Sequence, residues 1–217
     1  MGKPTLNKIS TMAFALAIGS SAHALTWYVG TTNANSAVQE LAWQAAAFPT
    51  SLENFDSMAI NTPLGNIASV NLTVRTYQDT TQALVATGGN TFTRSGSQFL
   101  WNTSHQATYF DANGPMTAMG YWAAGGDSDV HKVTVYDTSN NVLGVNFVTA
   151  EPVLPCFIGV TSNVAISSVM VEPAGSGGTQ DSLGFDDVQT NAVPEPCSLA
   201  LVGFALATYA RRQRRQR

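Results

Sequence analysis

The apolar positions of this chain change their period along its length, and that change divides it into elements. Thr26 to Val29 (TWYV) is a short β-prone piece. From Asn33 to Phe48 the spacing turns helical, with Val38, Leu41, Ala42, Ala45 and Phe48 on one stripe. Ser36 and Gln39 form an S-x-x-Q capping box, and Pro49 stops the run. A helix is therefore expected over about 36 to 48, with that stripe packed at the mouth or side of a sheet. Beyond Thr50 the pattern has period two. Asn71 to Tyr77, Lys132 to Asp137 and Val142 to Val148 alternate cleanly, and the last two are joined by a hairpin loop, Thr138 to Asn141. Ala107 to Phe110 and Thr117 to Trp122 flank a turn at Asn113-Gly114-Pro115. Phe157 to Val160, Val164 to Glu172 and Ser182 to Thr190 complete a set of eight or nine short strands. Gly88 to Ser97 reads as a loop or a weak edge strand, and Ala174 to Thr179 as a flexible loop. The pattern predicts a mainly β fold, an antiparallel β-sandwich of jelly-roll type with one short N-terminal helix.

The two ends follow neither period. Lys3 and Lys8, the apolar Met12 to Ile18 and the A-x-A site Ala22-His23-Ala24 make a secretory signal peptide over 1–24. At the other end, Val193 to Arg217 holds a Pro-Glu-Pro triplet, an uncharged run from Cys197 to Ala210 and five arginines in seven residues. As a helix that run is roughly 21 Å long, short for a permanent span of a bilayer core about 30 Å thick. The arginines hold it on the cytoplasmic side. The body is then 25–192, and its charge is one-sided. It keeps three basic residues, Arg75, Arg94 and Lys132, against thirteen acidic ones, a net charge of −10. Such a surface repels phosphate backbones, so nucleic acid is excluded as a partner. Cys156 is the body's one cysteine, so no disulfide closes within it, and its apolar setting (PCFIGV) reads as a small buried residue.

The tail resembles the PEP-CTERM sorting signal of Gram-negative bacteria. Val193, Pro194, Glu195 and Pro196, the apolar stretch ending at Ala210, and the cluster of Arg211, Arg212, Arg214 and Arg215 carry the resemblance. It implies cutting near the triplet by an exosortase, transient anchoring in the inner membrane, then display at the cell surface or release. It also implies a structural or adhesive role linked to extracellular polysaccharide and biofilm. Cys197 departs from the small residue usual there. The body resembles the domains often joined to such tails, through NFDSM, VTVYDTSNNVLG, FIGVTSNVAISSVMV and the closing GFDDV. GFDDV is also similar to the closing strand of jelly-roll carbohydrate-binding modules, where an aspartate often helps hold a structural calcium. The resemblance carries over to Asp186 and Asp187 and, more loosely, to Asp56.

Chemistry read from the residues alone is sparse. Phe185 and Val188 lie three apart, on opposite faces of a regular strand, so burying both requires a bulge at the two aspartates. With so few basic residues, calcium is a more available counter-charge than a salt bridge. Asp127 and Asp129 form a D-x-D in a Gly-rich loop without the EF-hand spacing. His105 and His131 are the only histidines of the body, with no zinc spacing, and no G-x-S-x-G is present. No catalytic residue is assigned. Trp101, Tyr109, Tyr121 and Trp122 are the candidates for stacking on a sugar face, and Trp43 is expected to pack the helix down. Two rivals stand beside the structural or adhesive role: a module recognising one glycan, and a secreted hydrolase. A cluster of exposed aromatics favours the first, and a pocket with perturbed carboxylates or a histidine favours the second.

Overall fold

The structure, a computed structural model, describes residues 23–63, 65–76, 83–87, 93–102, 107–125, 130–149, 155–174 and 183–191. The elements run β1 (Leu25–Val29), α1 (Asn33–Ala47), β2 (Ser51–Glu53), β3 (Asn66–Ile67), β4 (Leu72–Thr76), β5 (Ala83–Thr87) and β6 (Gln98–Asn102). They continue with β7 (Thr108–Gly125), β8 (Val130–Asp137), β9 (Val142–Thr149), β10 (Cys156–Pro173) and β11 (Leu183–Thr190).

Two strands of 18 residues, β7 and β10, build the architecture. They pair with each other along most of their length, with the register shifting between Thr161 and Ser168. At the shift each strand changes its outer neighbour. The second half of β7 lies against β11, and the first half against β4. The first half of β10 lies against β1, and the second half against β8. The result is a β-sandwich of two antiparallel sheets, β5-β6-β11-β7-β10-β1 and β3-β4-β7-β10-β8-β9. The expected antiparallel sandwich with one helix is what forms.

Several expected boundaries move. Asn113-Gly114-Pro115 does not reverse the chain but lies within β7, where the strand passes from one sheet to the other. The pieces 157–160 and 164–172 are likewise one strand. The short strands β2, β3, β5 and β6 are additions, because their apolar periodicity is too brief to read. Of the expected signal peptide at 1–24, residues 1–22 lie outside the described residues, as does all of the expected sorting segment at 193–217.

The core between the sheets takes alternate residues of each strand. Met119, Tyr121 and Ala123 of β7 face Val133, Val135, Val169 and Val171 of the second sheet. Phe110, Tyr121 and Phe185 meet ring to ring, with centroids 5.0–5.8 Å apart. Pairs of this kind contribute about 0.5–1.5 kcal/mol each beyond burial. The other face of the same β7 segment carries Ala118 and Trp122, which join Phe157, Trp43 and Ala47 in a second cluster under α1.

The helix is capped four residues earlier than its capping box indicates. Thr32 is the N-cap, its hydroxyl accepting the Asn35 N–H, and Ser36 sits buried inside the first turn. The helix stops at Phe48, whose φ of 49° places it in the left-handed region. The rotation of the helix also differs from expectation. Ser36, Trp43 and Ala47 face the sheet, and Val38, Leu41, Ala45 and Phe48 face out. Trp43 decides this. Its ring lies over Gly120 and Gly159, which are paired on adjacent strands, and a Cβ on Gly159 would sit 2.6 Å from Trp43 Cδ1. Its indole N–H donates to the Val160 carbonyl at 3.1 Å. One indole filling a two-glycine trough outweighs the burial of Val38, Leu41, Ala42, Ala45 and Phe48.

Candidate functional site

Two places bring the chemically active side chains together. The first is the outer face of the second sheet. Its core-facing residues are Val133, Val135, Val169, Val171, Phe110 and Val148, so their neighbours along each strand point outward. Cross-strand pairing sets these in a row from Arg75 to Tyr109, Met170, Thr134 and Val145. Four inter-strand steps make that row about 19 Å long. Asp111, Ser168 and Tyr136 form the row on one side, and Glu172, Lys132 and Phe147 the row on the other. Helix α1 covers the first sheet instead, and among the described elements none is stacked on this face.

The face combines half-exposed aromatic rings with charges that are neutralised in place. Arg75 pairs with Asp111, and its guanidinium carbon lies 3.8 Å from the Tyr109 ring centroid. Lys132 Nζ donates to Glu172 Oε2 at 2.8 Å, and that bond holds the ammonium above the usual lysine range. Exposed pairs like these add little stability, about 0–1 kcal/mol each. They do fix long side chains in place. The Tyr136 hydroxyl rests 3.9 Å from Met170 Sδ, and Phe147 stands exposed at the edge strand. The Thr134 and Ser168 hydroxyls lie beneath with no hydrogen-bond partner among the described residues.

Of the four aromatics the sequence puts forward, Tyr109 is on this face. Trp101 is 40% exposed, on the outer face of the first sheet beside Phe99. Tyr121 and Trp122 are both buried, which corrects the expectation that one of them could be exposed. Their strand segment is central in the first sheet and covered on both sides. The second sheet encloses Tyr121, and α1 packs on the Trp122 side, where the Arg94 guanidinium lies 4.7 Å from the indole centroid. Tyr136, Phe147 and Met170 were not singled out in the sequence. Tyr136 and Phe147 lie one residue from the core positions Val135 and Val148 in alternating strands, a signal for a second face but not for an uncovered one.

The second place is the loop 93–98. The bulge expected in the closing strand is present: the β11–β7 register shifts between Asp186 and Gln189, Asp187 has φ 45°, and Phe185 and Val188 are both fully buried. Asp186 Oδ2 accepts the Arg94 and Ser95 backbone N–H groups at 2.6 and 3.0 Å, and its Oδ1 accepts from Asp187 N at 2.8 Å. Asp187 Oδ1 accepts from the Ser95 hydroxyl at 2.6 Å. Asp56 Oδ1 takes the Ser97 and Gln98 N–H groups at 2.8 and 3.1 Å. Gly96, at φ +60°, lies between these two grips, and a Cβ there would fall 1.6 Å from Asp56 Oδ2. Two carboxylates thus pin the loop through four backbone amides.

Both carboxylates of the pair that grips the loop are occupied by backbone amides. Asp186 and Asp56 bind different ends of the loop, and no three acidic, histidine or cysteine side chains among the described residues converge as metal ligands. Burial pushes the Asp186 carboxyl up to about 7 against the opposing pull of the amides, and raises Asp187 as well. Beside the loop a cleft of about 190 Å³ opens between Asn33, Thr93, Arg94, Gly96 and Pro155.

His131 is fully buried on β8. Cys156 is buried too, and its thiol is pushed up to about 12 by desolvation. Asp127, Asp129, His105 and the sorting residues Val193, Pro194, Glu195, Pro196, Arg211, Arg212, Arg214 and Arg215 lie outside the described residues. No helix among the described residues is long and apolar enough to cross a membrane.

No protein-family model matches the sequence, and no curated protein sequence matches it. Among solved structures, the chain is similar to the K2 cleaved adhesin domain of Lys-gingipain, at 14% identity and a TM-score of 0.43, over 64% of this chain and 98% of that one. The K1 cleaved adhesin domain of Lys-gingipain from Porphyromonas gingivalis W83 gives 13% and 0.42, over 66% and 98%. A mutant family 29 carbohydrate-binding module gives 7% and 0.39, over 64% and 97%. The assignment as a β-sandwich rests on the strand pairing described above.

Proposed function

We propose that this is an exported, exosortase-processed protein of the cell surface or extracellular matrix, whose sandwich domain holds polysaccharide in a structural or adhesive role. The tail is its transient inner-membrane anchor. The observation that carries the reading is the outer face of the second sheet, on which no described element is stacked, where Tyr109, Tyr136 and Phe147 stand among hydrogen-bonding groups around the buried Met170, Thr134 and Ser168. Tyrosine rings exclude water from sugar C–H faces, and fixed Arg75, Asp111, Lys132 and Glu172 supply donors and acceptors for hydroxyls. Two cations and two carboxylates cancel across the face, which suits a neutral glycan better than a polyanion. The face is about 19 Å across, with Met170 and Thr134 buried along its middle row, and its rings and charges offer contacts to a stretch of polymer.

Affinity electrophoresis through gels containing neutral polysaccharides tests this. Wild type is expected to be retarded in at least one, and Tyr109→Ala and Tyr136→Ala to lose about tenfold in affinity each, the scale of one lost aromatic contact. Equal mobility of wild type and variants in every gel would sink the proposal. The processing step has its own test, since the intact mass of the extracellular form should lack Ser198 to Arg217.

A further inference from the structure

Helix α1 turns outward the stripe that its spacing marks for burial. Val38 is 61% exposed, Leu41 67% and Phe48 77%, and Leu52 on β2 continues the patch at 55%. The stretch 33–52 contains one charged residue, Glu40. Glu40 is half-buried and accepts hydrogen bonds from Gln44 and Gln189. The exposed side of the helix therefore carries no charge. A helix face in contact with water is ordinarily polar and charged, and an apolar patch of this kind marks an interaction surface.

The path of the chain identifies the occupant. Thr190 ends β11 opposite Ser51, and the next side chain, Asn191, donates to the Ala47 carbonyl in the last turn of α1. The chain thus leaves the domain beside Phe48 and Leu52. Five residues, 192–196, separate Asn191 from the apolar run that begins at Cys197. Fully extended, that link spans at most about 20 Å.

We propose that Val38, Leu41, Ala45, Phe48 and Leu52 form the face by which the domain rests on a zwitterionic lipid surface while its tail is anchored. The inference depends on the anchoring role given to the tail above. A short tether holds the stripe at the bilayer at high effective concentration, so even a modest apolar patch suffices. The helix then lies in the plane of the interface with its apolar side among the headgroups. The net charge of −10 on the body disfavours anionic lipid.

The full chain, carrying Cys197→Ser, is reconstituted with phosphatidylcholine vesicles and labelled with an environment-sensitive fluorophore at Phe48→Cys. A second sample carries the label at Thr138→Cys in the β8–β9 hairpin. The chain is expected to float with the vesicles, with a blue shift and a severalfold rise in emission at position 48 only. Adding Leu41→Glu should abolish that change and leave flotation intact. Flotation with no change at position 48 overturns the proposal and leaves the anchor standing. Failure to float removes the anchor reading and this inference with it. A change at position 48 that follows protein concentration without vesicles assigns the stripe to a second copy of the chain and also overturns it.

Discussion

Trp43 sets the orientation of the helix with one side chain, so the glycines beneath it are as consequential as the ring. Gly159→Ala places a methyl group 2.6 Å from Trp43 Cδ1, and overpacking of this kind costs about 1–3 kcal/mol. Trp43→Ala removes the ring and its bond to the Val160 carbonyl, at about 3–5 kcal/mol. Urea melts of the two variants and the pair measure this. The double variant should be less destabilised than the sum, because the alanine methyl then fills part of the vacated trough. Legibility at this scale was uneven. That Trp43 packs inward and that Cys156 is buried followed from residue type alone. The helix face did not, because periodicity counts apolar positions equally. The two-glycine trough that selects one tryptophan comes from strands more than 70 residues further along the chain.

At the scale of elements, the alternating strands, the β8–β9 hairpin and the bulge in β11 were all readable, since each follows from local spacing. The brief strands β2 and β6 were not, because they owe their place to β11 on either side of the bulge. Nor could the loop 93–98 be placed, because the carboxylates that hold it lie about 40 residues before and 90 after it. The clamp has a pH signature. With the Asp186 carboxyl raised from 3.8 to about 7, the folded state binds more protons than the unfolded chain between those values. Stability from this group is complete below about pH 4 and falls as pH rises through about 7. Wild type should therefore lose stability relative to Asp186→Asn over that range, the lost Asp187 N–H bond adding a constant offset. Coincident pH profiles of melting temperature would contradict it. The same melts, run in calcium and in EGTA, test the ion expected from the closing strand. With five backbone amides already on Asp186 and Asp56, the two curves should coincide, and a rise of several degrees in calcium would assign the site to the ion instead.

For the whole molecule, the sandwich class was legible and the side of the sandwich that the helix covers was not. Alternation reveals that a strand has two faces, and only the assembled layers reveal that α1, among the described elements, lies over the first sheet and not the second. The two bent strands have a further consequence, in time rather than in space. β1, at residues 25–29, has its partner at 158–162, and β2, at 51–53, has its partner at 188–190. The first strands to emerge from a ribosome therefore wait for nearly the last. Non-local pairing of this kind places folding in the range of about milliseconds to seconds. Because β7 and β10 belong to both sheets, neither sheet can close while the other is still missing. The sandwich is therefore complete only once residue 190 has been made.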